Sequence, residues 1–166
     1  MTDETRYPLS WPIGWARTSP GTRKFAMFGK GEARQTGINT TQTVRRSLTV
    51  ADARNRLDLE LQRLGARDVL LSTNVQVRLD GLPRSGQNEP ADPGAAVYFT
   101  LKGKPRCLAC DRWSRVADNI AAIAAHVYAI RAVDRLLRRH SGSGVRRLPA
   151  APSRADAGSR SLVDGA

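Results

Sequence analysis

Val69-Leu70-Leu71-Ser72-Thr73-Asn74-Val75-Gln76-Val77-Arg78-Leu79 is the stretch that decides the fold. Val69, Leu71, Thr73, Val75, Val77 and Leu79 alternate with Leu70, Ser72, Asn74, Gln76 and Arg78. A period of two sends successive side chains to opposite faces, so this strand has one apolar face and one mixed face. An apolar face needs a covering layer, and helices flank the strand region on both sides. Upstream, Val50, Ala53, Leu57, Leu61 and Leu64 recur at steps of three and four and form the apolar stripe of a helix from about Thr49 to Leu64. Thr49 and Asp52 have the spacing of a capping box, and Gly65 stands where a left-handed C-cap belongs. Downstream, Ala96 to Lys102 is rich in β-formers, Lys102-Gly103-Lys104-Pro105 turns the chain, and Arg106 to Cys110 returns as the second arm of a hairpin. A long helix follows from about Ser114 to Arg139, with Val116, Ile120, Ile123, Val127, Ile130 and Leu137 as its buried stripe.

The order α–β–β–β–α over residues 48–140 predicts an α+β fold. It is a two-layer domain with an antiparallel three-stranded sheet and two helices on one face. Residues 1–47 read as a basic arm, in which Tyr7-Pro8-Leu9-Ser10-Trp11-Pro12-Ile13-Gly14-Trp15 is extended or turn-like because of its prolines. Two Trp rings there are costly to leave in water, so the segment is expected to lie in a groove of its own domain or of a partner. Residues 18–43 are polar and Gly-rich and read as a flexible arm. The loop of residues 80–94 follows every turn rule and is long for so small a domain. Residues 141–166, rich in Ser, Gly, Pro, Ala and Arg, read as a disordered low-complexity tail.

At 166 residues, with 40% hydrophobic and 5% aromatic residues, the chain fits one domain with a mostly aliphatic core. No stretch approaches the roughly 20 apolar residues of a membrane helix, and the acidic N-terminus lacks the pattern of a secretory signal. Two cysteines make no disulfide framework. The expectation is a soluble cytoplasmic protein with no membrane partner. Its formal net charge of +12 is unevenly spread. Residues 1–47 hold eight Lys/Arg against three Asp/Glu, residues 48–103 seven against seven, and residues 104–140 eight against three. Basic flanks around a neutral middle favour a polyanionic partner, DNA or RNA, through counterion release. An Arg-rich composition is also a habit of some genomes, and that reading stands beside the first.

Candidate phosphate contacts are Lys102, Lys104, Arg106 and Arg112 around the hairpin, Arg131, Arg135, Arg138 and Arg139 along the second helix, and Arg45 and Arg46 in the arm. The helix Arg cluster also suits the helix dipole. Trp11, Trp15, Arg84 and Trp113 are candidate partner-binding residues, since protein interfaces favour Trp and Arg. Cys107 and Cys110 form a C-x-x-C inside a predicted strand. Only His126 and His140 could complete a zinc site, at the wrong spacing, so two structural cysteines are expected and no metal or cofactor. Asp80, Asp92 and Asp111 invite comparison with a metal-dependent nuclease, where a carboxylate precedes a strand carrying a second one two residues before a lysine. Here that position is Thr100, which cannot replace an anionic metal ligand. No phosphate-binding P-loop or Ser/His/Asp pattern is present.

Tyr7-Pro8-Leu9-Ser10-Trp11-Pro12-Ile13-Gly14-Trp15-Ala16-Arg17-Thr18, Asp80-Gly81-Leu82-Pro83-Arg84-Ser85-Gly86-Gln87, Glu89-Pro90-Ala91-Asp92-Pro93-Gly94 and Cys110-Asp111-Arg112-Trp113 are distinctive together. With them the chain, over residues 7 to about 134, resembles a family of small proteins encoded by bacteriophages and integrated elements. Several of these carry a C-terminal J domain. This sequence has no His-Pro-Asp tripeptide, so a chaperone-recruiting role is not carried over. The resemblance implies a mobile-element setting. It leaves open a nucleic-acid-contacting accessory protein, a protein-interaction module using the Trp segment and the 80–94 loop, and, last, a nuclease.

Overall fold

Thr49 starts the first helix as the sequence predicts. In the computed structural model, which describes residues 4–26, 28–37, 40–78, 84 and 86–141, α1 spans Val50–Leu64. The Asp52 N–H donates to Thr49 Oγ1 at 3.0 Å, and the Thr49 N–H donates back to Asp52 Oδ2 at 3.2 Å. That closes the capping box and satisfies donors the helix cannot satisfy itself. At the other end Gly65 takes φ 82°, a left-handed conformation that side chains disfavour, and its N–H returns to the Gln62 carbonyl.

Six strands, one 3-10 turn at Pro20–Thr22 and a second α-helix complete the described chain: β1 (Glu4–Arg6), β2 (Gly29–Gly37), β3 (Thr40–Ser47), β4 (Arg67–Thr73), β5 (Ala95–Leu101), β6 (Lys104–Cys110) and α2 (Val116–Ser141). The sheet order is β1-β4-β5-β6, with β1 parallel to β4 and the other neighbours antiparallel. The expected three-stranded antiparallel sheet is therefore a four-stranded mixed one. The added strand, Glu4-Thr5-Arg6, is short and polar and is held by backbone pairing, which leaves no alternating hydrophobic signal. A second correction concerns the arm. Of the arm expected to be flexible over residues 18–43, Gly29–Gly37 pairs with Thr40–Ser47 as a separate two-stranded ribbon of β2 and β3.

Register sets the two sheet faces. Leu71 lies opposite Val97, and Val97 opposite Leu108. Their face joins Ala53, Leu57 and Leu61 of α1 and Val116, Ile120, Ile123 and Val127 of α2 in one apolar core. Ser72 opposite Ala96, and Ala96 opposite Ala109, mark the other face. β4 stops at Thr73, short of the expected Leu79, and the next residue, Asn74, uses its side chain to accept from the Leu9 N–H and to donate to the Asp92 carbonyl. Leu79 lies outside the described residues. In α2 the buried stripe ends at Val127, and Ile130 and Leu137, expected within it, are exposed.

The chain divides into two units, Met1–Val133 and Asp134–Ala166. Of the second, the described part is helical, with an Arg138–Asp134 ion pair at 2.9 Å. The predicted tail beyond Ser141 lies outside the described residues. No helix among them is long and apolar enough to cross a membrane.

Hydrogen bonds from the Thr49 side chain and backbone, and from Lys30, hold the Asp52 carboxyl down at about 2. The unfolded value is about 3.9. A depressed carboxyl stabilises the fold above its unfolded value and loses that contribution as the pH falls through its folded one. Replacing Thr49 with Ala is expected to lower stability by about 1 kcal/mol in urea titrations at pH 7. The difference from wild type should shrink between pH 4 and pH 2, as the shared carboxylate protonates.

Candidate nucleic-acid interface

The helix-free face of the sheet is not left bare. Residues 8–18 run across it, with the Leu9 N–H donating to Asn74 Oδ1 at 3.0 Å and the Ser10 N–H to Ser72 Oγ at 2.7 Å. Tyr98 Oη donates to the Ser10 carbonyl at 2.9 Å. Pro12 is buried, and Trp11 is half-buried beneath the Arg17 guanidinium, 4.2 Å from its ring centre. Of the two groove expectations, packing on its own domain is the one found for Trp11. Ile13 and Trp15 remain exposed at the rim of a hollow of about 460 Å³ floored by Leu70, Tyr98 and Cys107.

Arg17 fastens this segment. Its Nε donates to Asp111 Oδ2 at 2.8 Å and its Nη2 to Asp92 Oδ1 at 2.5 Å. Thr18 adds its backbone N–H and its hydroxyl to Asp111, at 2.9 and 2.7 Å. Arg23 and Asn74 donate to Asp92 as well. Gly94 completes the junction, since a Cβ there would meet Leu9 Cδ2 at 2.9 Å and Arg17 Nη2 at 3.3 Å. Asp92 and Asp111, two of the three nuclease candidates, thus serve as acceptors for arginine and threonine. The third, Asp80, lies outside the described residues. Among the described residues no group of three His, Cys, Asp or Glu side chains gathers in a form suited to a metal.

A second polar cluster opens α2. Asn119, fully buried, donates to the carbonyls of Pro93, Trp113 and Arg115 and accepts from the Trp113 N–H. Glu89 accepts from the Val116 N–H at 3.0 Å, which caps the helix from a distant loop. Gln87 stands in for a strand partner by pairing with both backbone groups of Gln76. Asp118, 1% exposed, has no hydrogen-bond partner on either oxygen, and burial pushes its carboxyl up. Only Arg115, at 3.9 Å, opposes that.

The predicted cations separate into two groups. Arg131 forms an ion pair with buried Glu60, Arg46 with Asp52, and Arg138 with Asp134, so these are structural partners of carboxylates. Lys102, Lys104 and Arg106 are exposed and form no ion pair among the described residues. Lys102 and Gly103, with φ of 51° and 73°, make the β5–β6 turn. Arg67, which the sequence alone does not single out, pairs in register with Thr100 and brings a fourth exposed cation to the same sheet end. Arg112 is exposed at the opposite end of β6, and Arg135 is exposed in the second unit. The side chains of Arg45 and Arg139 are outside the described set.

The predicted partner residues do not converge either. Trp11 and Trp15 lie over the second sheet face, whereas Arg84 lines a hollow with Thr49, Gln87 and Glu89. Trp113 packs edge-on against Phe28, with ring centres 5.9 Å apart, beside the Lys24 backbone. Cys107 and Cys110 are unpaired and fall on opposite faces of β6, and burial raises the Cys110 thiol away from reactivity. His126 is exposed on α2. Comparison with protein-family models, curated proteins and solved structures finds no match.

Replacing Arg17 with Ala strands nearly buried Asp111 and should cost about 1–3 kcal/mol in denaturant titrations. Arg17→Lys should recover little of it, because one ammonium cannot bridge both carboxylates as the planar guanidinium does. Asp118→Asn is expected to raise the melting temperature at pH 7. A carboxyl raised by burial disfavours the fold once ionised, so the gain should vanish as the pH falls through its raised titration range.

Proposed function

We propose that the protein is a non-enzymatic accessory protein of a phage or other mobile genetic element that contacts nucleic acid. The observation that carries the nucleic-acid reading is the cluster of Arg67, Lys102, Lys104 and Arg106, exposed at one sheet end and without carboxylate partners among the described residues. Three of the acids are engaged elsewhere, Asp92 and Asp111 by Arg17 and Glu60 by Arg63 and Arg131, while exposed Asp68 stands next to Arg67 in the chain. These four cations face solvent, which is what phosphate neutralisation with counterion release uses. The mobile-element setting rests on the resemblance of the Tyr7–Thr18, Glu89–Gly94 and Cys110–Trp113 segments to phage-encoded proteins.

A second reading, a protein-interaction module, draws on one feature: Ile13 and Trp15 stand exposed beside the hollow over Tyr98. Large apolar groups at a rim of this kind suit a partner's side chain.

A salt series of fluorescence anisotropy on DNA and RNA tests the first reading. Wild type should bind at 50 mM salt and weaken steeply as salt rises. The triple variant K102E/K104E/R106E should weaken binding and flatten the log–log salt slope by about three, because each phosphate neutralised adds roughly 0.9 to that slope. Absent or salt-insensitive binding overturns the reading and turns attention to Ile13 and Trp15.

A further inference from the structure

The segment that covers the second sheet face leaves one of its two indoles open. Arg17 lies over Trp11, and Trp11 Nε1 donates to the Trp15 carbonyl at 3.1 Å, so Trp11 is committed to the fold. Trp15 is 46% exposed and carries no stacked ring or guanidinium among the described residues. With Ile13 it rims the hollow of about 460 Å³ that Tyr98 and Leu70 floor and that Arg6 of β1 also lines. The Tyr98 hydroxyl, bound to the Ser10 carbonyl, fixes its ring in that floor. Among the described residues no carboxylate lines the hollow, and its size is that of a small-ligand site.

We propose that this hollow takes an unstacked base of a single-stranded nucleic acid, with the phosphates of the strand on the basic sheet end. The inference rests on the nucleic-acid reading above and adds the strand type and the place of a base. Its first support is chemistry. Every base has a π-face that stacks on an aromatic ring, and a polar edge that an arginine can meet. A base inside a duplex is stacked on both sides and cannot enter such a site. The second is placement. Leu70 opposite Tyr98, and Tyr98 opposite Cys107, form the row of the sheet beneath the hollow. The next row of that face, two residues or about 7 Å along, is Arg67 opposite Thr100 and Thr100 opposite Pro105. Lys102, Gly103 and Lys104 close the hairpin just beyond, so the positive end adjoins the aromatic one.

The third support is a bulge. Counting back along an unbroken ladder from Leu70 opposite Tyr98 would set Asp68 opposite Thr100. The register shifts between Arg67 and Leu70 instead, and Asp68 takes φ 51°, a left-handed conformation that side chains disfavour. One extra residue thereby puts Arg67 opposite Thr100. Bulges are a means of re-aiming side chains beside binding sites, and this one exchanges an acid for an arginine in the row next to the hollow.

The test uses the full chain with a mixed-sequence DNA strand, the RNA strand of the same sequence, the DNA duplex, and an abasic DNA strand of equal length and charge. Wild type should bind a single strand, DNA or RNA, about tenfold or more tightly than the duplex, from which a base would first have to be unpaired. It should bind the abasic strand about fivefold or more weakly than the intact one, the effect of losing one stacked base. Trp15→Ala should lose a similar factor on the intact strand and nothing on the abasic one, with an unchanged melting temperature, and Trp15→Phe should restore most of the loss. R67E/K102E should weaken binding to every probe. Equal affinity for intact and abasic strands, or a preference for the duplex, overturns the inference and leaves the nucleic-acid reading standing. Both comparisons use wild type alone, so they hold even if a variant misfolds. A folded Trp15→Ala protein that binds the intact strand as wild type does also overturns it, and leaves the hollow to a protein partner. No binding to any probe overturns both readings.

Discussion

The grip of Arg17 on Asp111 and Asp92 is the constraint on which the domain's second layer depends. A four-stranded sheet has two faces, and the helices cover one. The other is closed by a Pro- and Trp-containing segment with no regular secondary structure, and such chain stays in place only where side chains hold it. Asp111 is almost fully buried, and its desolvation is tolerable because Arg17 and Thr18 supply its hydrogen bonds. The same guanidinium lies on Trp11, so one side chain fixes an ion pair, a loop and an aromatic ring. The Tyr7–Thr18, Glu89–Gly94 and Cys110–Trp113 segments, far apart in sequence, meet at this junction. Their conspicuous residues are here those of an architectural joint.

That joint also explains how charge is distributed. Several arginines that face acids sit between elements: Arg17 between the N-terminal segment and two loops, Arg131 between α2 and α1, and Arg115 between the start of α2 and the Glu89 loop. Each of these pairs occupies a carboxylate that other cations would otherwise meet. The lysines and arginine of the β5–β6 turn, with no ion pair among the described residues, face anions in solvent. Net charge in this chain is thus a poor guide to which cations are available, and the neighbour each one faces is a better guide.

The helices and the hairpin were legible in the sequence because their signals are local. A capping box, a left-handed glycine and a spacing of three and four residues describe α1 without reference to anything distant. β1 and the ribbon were not legible. Glu4-Thr5-Arg6 and the Thr/Gln/Arg-rich strands are held by backbone hydrogen bonds, which carry no hydrophobic period. Among the cations, Lys102, Lys104 and Arg106 could be placed from the hairpin turn. Arg131 could not be separated from them, because its partner Glu60 is distant in sequence. Asp92 and Asp111 read as turn residues or metal ligands for the same reason, since Arg17 lies far upstream. Asn119, a single amide in an alanine-rich helix, is the polar hub at the start of α2, and periodicity alone passes over it.

Asp52 closes the capping box of α1 and also receives Lys30 and Arg46 from the root of the ribbon. Two pieces of architecture draw on one carboxylate, so their substitutions are not independent. Thr49 and Lys30 each act through Asp52, and a change at either alters what the other contributes. Such pairs typically depart from additivity by about 0.5–3 kcal/mol. Over evolutionary time, the residue that begins the helix and the residues that root the ribbon are therefore expected to drift as a correlated set, with position 52 as the link between them.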